Sequence, residues 1–155
     1  MSTLRLNVPS GSNGRTNGTV ELEPVPSYRV PLVWDDIESH IKEILDLNLN
    51  RFTADDLYLE LLNKRMQLWR VIRGKKTLMV GVTMIRVYPT CKAANVIGIS
   101  GTDIDSWMRF EPDLLKWARG EGCVGIEVVA RRGWLRKLQG WKELGVVLSR
   151  PLGDS

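Results

Sequence analysis

The sequence is poor in the residues that build metal centres and disulfide frameworks. Its 155 residues include two cysteines, Cys91 and Cys123, and one histidine, His40. Two cysteines far apart in the chain make neither a disulfide framework nor a zinc site, so we expect no metal and two thiols packed as small apolar groups. A lone histidine on an amphipathic helix predicts a surface or partly packed side chain rather than a Ser-His-Asp or Cys-His mechanism.

Long apolar runs are also missing. No segment approaches the roughly 18 residues of a membrane span. The segment from Met1 to Pro9 lacks the apolar core of a signal peptide. We therefore expect a protein that stays in a cytoplasm or is packaged from one, and that is neither secreted nor bound to a membrane.

What the chain does have is an ordinary globular composition. Apolar residues make up 43% and charged residues 26%, and the formal net charge is +4. A length of 155 residues favours one domain with a real core. The mild positive charge by itself says little about whether the partner is a nucleic acid.

Residues 1–31 differ in composition from the rest of the chain. They contain four of the seven prolines and many glycine, serine and asparagine residues. Such a segment buries little, so we predict an extended arm over residues 1–31 and a folded domain over 32–155. Short alternating pieces around Leu6 and Val20 favour pairing with a sheet edge of this chain or of a neighbour, with Tyr28 as an anchor.

From Val33 onward the periodicity predicts alternating helices and strands. A first helix has its N-terminal cap at Asp35 and an apolar stripe from Ile37 to Leu45, and a second helix begins at Thr53. Next come an antiparallel hairpin, a third strand, a helix, a central parallel strand, a short helix and a final strand, over 67–73 and 78–88, 95–100, 111–120, 123–130, 133–138 and 146–149. The strand at 95–100, its helix and the strand at 123–130 form a right-handed crossover.

Several short motifs resemble those of the GNAT acetyltransferase superfamily. Leu138-Gln139-Gly140-Trp141 resembles the "k-L-G-F" ending of that family, and residues 117–123 resemble its "w-A-k-e-x-G-c" junction. Gln67-Leu68-Trp69 and Arg131-Arg132-Gly133-Trp134 are similar to motifs of divergent GNAT-like proteins encoded among tailed-bacteriophage virion genes. The resemblance covers residues 33–150 and implies an α/β fold with a mixed sheet, in which an antiparallel hairpin precedes a β-α-β crossover.

The resemblance also shows where this chain departs from active members. Those members hold the pyrophosphate of acetyl-CoA on a Gly-x-Gly or Gly-x-Ala loop at a helix N-terminus. Here the corresponding stretch has only Gly101, followed by Asp103, Asp105 and Arg109, with Trp107 adding bulk. Because carboxylates repel phosphates, we expect no cofactor, with acetyl-CoA as the alternative.

Catalytic groups are equally sparse. Arg136 occupies the position of the family's usual tyrosine acid, and the third strand has no carboxylate. Glu127 on the next strand is the one weak candidate for a general base, with a polar groove residue as the alternative.

Basic and aromatic residues suggest binding surfaces. Arg131, Arg132, Arg136 and Lys137 are candidate phosphate contacts, although a solvated helix face with Trp134 and Trp141 packed inward explains the same spacing. Trp34 and Trp107, near predicted element boundaries, are candidate partner contacts.

These features lead to three hypotheses. The first is a non-catalytic GNAT-like bacteriophage protein that acts in virion structure or assembly, in the particle or the host cytoplasm, by contacting other virion proteins or copies of itself. The second is an active acetyl-CoA-dependent N-acetyltransferase. The third is a nucleic-acid-binding module that uses the basic C-terminal helix.

Overall fold

A computed structural model of the chain describes residues 6–9, 19–101, 104–130 and 132–153. For residues 6–9, 104, 106 and 132 the description covers the backbone alone.

The described residues form one six-stranded mixed sheet. The strands are β1 (Leu6–Pro9), β2 (Thr19–Val25), β3 (Gln67–Arg73), β4 (Lys76–Val87), β5 (Lys92–Gly101) and β6 (Ile126–Val128). They lie side by side in chain order, and all neighbours are antiparallel except β5 and β6. The fold class predicted from the sequence is thus confirmed: an antiparallel hairpin, β3–β4, precedes one parallel β-α-β crossover.

Helices cover both faces of this sheet. They are α1 (Val30–Leu47), α2 (Ala54–Leu62), α3 (Ile104–Met108) and α4 (Glu111–Gly120), with 3₁₀ turns at Ser27–Arg29 and Arg132–Arg136. Neighbouring residues of a strand point to opposite faces, so Leu68 packs with α1 and α2 while Trp69 packs with the segment from Trp107 to Leu114. None of the helices in the described part of the chain is long and apolar enough to cross a bilayer.

The predicted N-terminal arm is wrong over residues 19–31. Strand β2 pairs with β3 from Val20 to Val25, and its side chains Val20 and Leu22 are each 1% exposed. On the other face Glu23 forms a buried ion pair with Arg70, 3.0 Å between Oε1 and Nη2. Alternation of apolar residues thus outweighs glycine and proline content, because a strand that pairs with a neighbour on each side needs only a few buried side chains to pack on the core.

The start of the first helix also differs from the prediction. Asp35 lies inside α1, which begins at Val30 with Pro31 in its first turn. Proline is favoured in a first turn because its missing N–H has no partner there in any case. The apolar stripe from Ile37 to Leu45 is buried as predicted, and Thr53 is the N-cap of α2 as predicted.

The C-terminal strands also differ from the prediction. We expected residues 123–130 at the sheet centre, but β6 is three residues long, half-buried, and last in the strand order. Residues 146–149 form no strand, since 141–150 has no regular secondary structure. No other strand of the described residues pairs with the outer side of β6, so β6 is an edge strand, which explains why the polar Glu127 fits within it.

Candidate functional site

The crossover strands β5 and β6 separate soon after they begin to pair. Only three residue pairs join them, Ala94–Ile126, Asn95–Glu127 and Val96–Val128, whereas β5 continues to Gly101. The far half of β5 therefore has β4 as its only partner among the described strands. Parallel strands that part in this way leave an opening at their C-terminal ends, where ligands of open α/β sheets bind.

On the α4 side of the separated strands lies a small apolar cavity, here called the cleft. Its volume is about 30 Å³, and about 10–15 Å³ is enough to hold one water. Its walls include side chains of β5, β6, α3, α4 and the C-terminal turn, among them Ile99, Trp107, Leu114, Ile126, Val128, Trp134, Leu138 and Trp141. Trp141 donates from Nε1 to Oε1 of Glu111 at 2.9 Å, which fixes the C-terminal turn against the start of α4.

A larger opening runs along the outer edge of β6, here called the edge groove. It encloses about 550 Å³ and is bounded by β6 on one side and residues 141–147 on the other. Glu127 lines the edge groove and not the cleft, whereas Ile126 and Val128 line both. Asn95, directly across the ladder from Glu127, and Tyr88 also line it.

The edge groove thus surrounds the one carboxylate that the sequence analysis singled out. Sequence reasoning missed its companions Asn95, Tyr88 and Arg86. The expected parallel crossover was a partial signal for Asn95, because it places the two strands side by side, but the register that pairs Asn95 with Glu127 is seen only in the structure. Tyr88 and Arg86 are brought there by the hairpin partner β4 and the turn after it, which has no local signature.

The loop after β5 is only partly as expected. Gly101 ends β5 with φ of +149°, a conformation that favours glycine. Asp105 and Arg109 are exposed on and just after α3, while Asp103 lies outside the described residues. No described side chain forms an ion pair with either exposed group.

Trp107 was predicted to crowd this loop and to contact a partner, and both predictions are wrong. Its side chain is 4% exposed and packs directly on Gly81 of β4, where any side chain on residue 81 would collide with the indole ring. The tryptophan is a core residue because the glycine opposite leaves a pocket for its ring.

The other predicted partner contacts have mixed outcomes. Val20 is buried in the core and presents no free surface. Trp34 is half-buried and packs edge to face on Tyr58 with ring centroids 4.8 Å apart, and its contact with a partner stays a prediction. The side chain of Leu6 lies outside the described residues, although its backbone pairs with Leu22. Tyr28 is 75% exposed, and its contact with a partner stays a prediction.

The candidate phosphate contacts lie around the C-terminal 3₁₀ turn. Arg136 and Lys137 are exposed, Arg131 lies outside the described residues, and only the backbone of Arg132 is described. Trp134 and Trp141 are half-buried against the cleft. Packed rings are not free to stack on bases, so this arrangement favours the solvated helix face over nucleic-acid binding.

A hydrogen-bond chain that the sequence did not predict links α1 to the end of β5. The buried hydroxyl of Ser100 donates to Oε2 of Glu43 at 2.8 Å and lies 3.0 Å from Nδ1 of His40. Ser100 is the middle member and is fully buried, whereas a nucleophilic triad needs the histidine in the middle and an accessible hydroxyl. These hydrogen bonds therefore anchor α1 on the sheet.

The cysteines and possible metal ligands add no second site. Cys91 and Cys123 are both free and half-buried. Burial raises the pKa of the Cys123 thiol, and the nearby Lys92 ammonium offsets this only in part. The described residues contain no cluster of three or more His, Cys, Asp or Glu side chains suited to a metal ion.

No protein-family profile and no curated protein sequence matches this chain. Solved structures match its fold. An aminoglycoside acetyltransferase from an uncultured soil metagenomic sample, solved with sisomicin, is 11% identical with a TM-score of 0.64, covering 86% of this chain and 97% of that one. An acetyltransferase of Trypanosoma brucei is 13% identical with a TM-score of 0.59, covering 86% and 99%.

A third matching structure contains a bound cofactor. A predicted acetyltransferase from Clostridium acetobutylicum, solved with acetyl-CoA, is 12% identical with a TM-score of 0.51, covering 81% of this chain and 96% of that one. At such identities the shared property is the fold. The chain has the fold of the GNAT acetyltransferases.

Proposed function

We propose that this chain transfers an acyl group from a coenzyme A thioester to an amine at the separation of β5 and β6. One observation carries the proposal: β6 has an apolar cleft on one side and the carboxylate of Glu127 in an open groove on the other. Acyl transfer to an amine needs a dry place for the thioester arm and, opposite it, a base within reach of the acceptor.

The residues of the cleft suit the acyl group and thioester of an acyl-coenzyme A, and the present volume of the cleft does not admit them. Ile99, Val128 and Trp134 offer carbon surface, but a volume of about 30 Å³ accommodates only a few water-sized groups. Entry requires Trp134 or Trp141 to swing outward, and for Trp141 this breaks its hydrogen bond to Glu111.

The loop after β5, where the phosphates of coenzyme A are expected, is less favourable for binding. Asp105 is exposed there and disfavours an anion, while Arg109 is an exposed cation beside it. Trp107 does not obstruct this loop, since its ring is buried in the core.

Glu127 is the proposed general base. Coenzyme A supplies an activated acyl thioester when bound. On the groove side, Glu127 accepts the proton that the amine loses as it attacks, and Asn95, which lies across the ladder, orients the acceptor by hydrogen bonding.

Calorimetric titration with acetyl-CoA tests the proposal. We expect saturable binding in the micromolar range and thiol release when amines are supplied. Glu127→Gln should keep the binding and lose most of the thiol release, whereas Glu121→Gln, an exposed carboxylate at the end of α4, should keep both. Absence of binding at millimolar acetyl-CoA would falsify this function.

A second candidate is a non-catalytic protein that works through protein contacts. The narrow cleft and the exposed Asp105 favour it, since both oppose cofactor entry. The structural neighbours described as acetyltransferases favour acyl transfer instead. A role in a bacteriophage virion stays a prediction from the sequence motifs, and the same titration separates the two candidates.

A further inference from the structure

Charge is strongly separated along this chain. Residues 30–62, which form α1 and α2, contain eight acidic and two basic residues and have a net charge of −6. Residues 129–153 contain six basic residues and one acidic residue, a net charge of +5. The overall charge of +4 thus conceals two regions of opposite sign.

Both regions also expose apolar side chains. On the solvent side of the two helices, Leu32 is 78% exposed, and Leu47 and Leu59 are each 53% exposed. We call this surface the helical layer; its exposed acids include Asp35, Glu38 and Asp46. The second surface, the C-terminal patch, exposes Leu144, Val147 and Leu148 between Lys142 and Arg150.

We infer that copies of this chain associate head to tail, with the C-terminal patch of one copy on the helical layer of the next. Each surface combines apolar side chains with an excess of charge of one sign, which is the composition of an interface with a complementary partner. Both halves of that complementary pair occur on the same chain, so a second copy supplies what each surface lacks.

The helical layer and the C-terminal patch of one copy do not cover each other. The helical layer packs its buried side on β3, β4 and β5, and the patch continues beyond β6 at the sheet edge. Leu148 is 88% exposed, so the patch is not covered within one chain. The contact joins different surfaces, which makes it heterologous, and such a contact closes into a ring or continues as a filament.

Sedimentation of the full chain at rising concentration tests the inference, which does not depend on catalysis. We expect the mass to grow beyond that of a dimer at low salt and to fall toward the monomer in about 0.5 M NaCl, because salt screens exposed charges. Two charge-reversed variants then locate the surfaces. The patch variant has Lys142→Glu and Arg150→Glu, and the layer variant has Asp35→Lys and Asp46→Lys.

Each variant alone should weaken self-association at least about tenfold, since it places like charges in contact. Mixed in equal amounts, the two should associate again, because the reversed patch of one fits the reversed layer of the other. Lys116→Glu, an exposed reversal on α4 outside both surfaces, is the matched control and should associate like the wild type. All five substituted residues are exposed, and melting temperatures check that folding is unaffected.

Three outcomes overturn the inference. The wild-type chain sediments as a monomer at every concentration and salt, or the mixture fails to restore association. The third is a dimer that survives in the layer variant and is lost only in the patch variant, which indicates patch-to-patch contact.

Discussion

Two stretches near the ends of the chain each contain several aliphatic residues, and their structures differ. Residues 20–25 contain three aliphatic residues, two glutamates and a proline, whereas residues 144–148 contain four aliphatic residues, a glycine and no charge. Strand β2 is an integral part of the sheet, with Leu22 1% exposed. The C-terminal stretch has no regular structure, and Leu148 is 88% exposed.

The difference lies in what each stretch meets. Strand β2 finds the free edge of β3 over six residue pairs, and Glu23 meets Arg70 within the sheet. The C-terminal stretch lies beside β6, which offers only three residues, and a groove of about 550 Å³ separates the two. Strand formation thus depends on an available edge at least as much as on the pattern of the strand itself.

The largest expected effect compares Leu22→Asp with Val147→Asp. The first buries an unpaired carboxylate and should lower the free energy of unfolding by on the order of 4 kcal/mol or more. The second places the carboxylate in solvent, since Val147 is 73% exposed, and should change stability by less than about 0.5 kcal/mol in dilute solution. Urea unfolding at micromolar protein measures both.

If Leu22→Asp does not fold, Leu22→Ala replaces it, with an expected loss of about 2–5 kcal/mol. Equal effects at residues 22 and 147 would mean that the C-terminal stretch is as well packed as β2.

Local signals in the sequence predicted more of this fold than nonlocal ones did. The cap at Thr53, the stripe from Ile37 to Leu45 and the hairpin from Gln67 depend on neighbouring residues, and all three are present. The integration of β2 and the edge position of β6 depend on which strands find a partner, which no local pattern encodes. Trp107 was misplaced for the same reason, because its pocket is made by Gly81 on a distant strand.

The candidate site was predicted only in outline. Glu127 was recognisable as a carboxylate on an otherwise apolar strand, and it lines the edge groove. Asn95 and Tyr88 join it through sheet register and the turn after β4, and the Ser100 hydrogen bonds to α1 are likewise tertiary. Such contacts follow from the assembled sheet and not from sequence spacing.

A second prediction concerns the ion pair that ties β2 to β3. Glu23→Ala leaves the Arg70 guanidinium, with 9% of its side chain exposed, facing only Asp36 at 3.5 Å and Thr77. Loss of one partner of a buried pair costs about 3–5 kcal/mol of unfolding free energy. Replacing both residues with leucine should recover most of this loss, because the charges that lose a partner, Arg29 at 3.0 Å from Glu23 and Asp36 at 3.5 Å from Arg70, keep 34% and 56% of their side chains exposed to solvent.

Urea unfolding of the single and double variants separates the pair from simple packing. A double variant as unstable as Glu23→Ala would show that the ion pair itself, and not the relief of a buried charge, stabilises β2.

A third prediction measures how firmly the C-terminal turn is attached. Trp141→Phe keeps the aromatic ring and removes the Nε1 donor to Glu111, so it should cost about 1 kcal/mol. Trp134→Phe, a change in the same cleft, is the matched control and should cost less than Trp141→Phe if the hydrogen bond is what matters. Thermal unfolding of both variants gives the comparison, and a larger loss at residue 134 contradicts it.

The smallest expected effect comes from a purely local contact, the capping box of α2. The carboxylate of Asp56 accepts from the backbone N–H of Thr53 at 2.9 Å, and Thr53 Oγ1 accepts from the backbone N–H of Asp56 at 3.1 Å. The hydrogen bond from the Thr53 backbone, followed by that from its side chain, lowers the pKa of Asp56 below 3.8. A carboxyl with a lowered folded pKa adds stability above its unfolded pKa, and this contribution is lost as the pH falls through the folded value.

Asp56→Asn should therefore be less stable than the wild type at about pH 7, and the difference should shrink toward zero at about pH 3 or below as the carboxylate becomes protonated. Asp55→Asn is the matched control in the same helix turn, without the capping contact. Urea unfolding of the three proteins at both pH values measures the differences. A gap between wild type and Asp56→Asn that persists unchanged in acid would contradict the assignment, because a protonated Asp56 no longer offers the charged acceptor. This contact involves only residues three apart, so its effect should be the same whether or not the C-terminal stretch is paired.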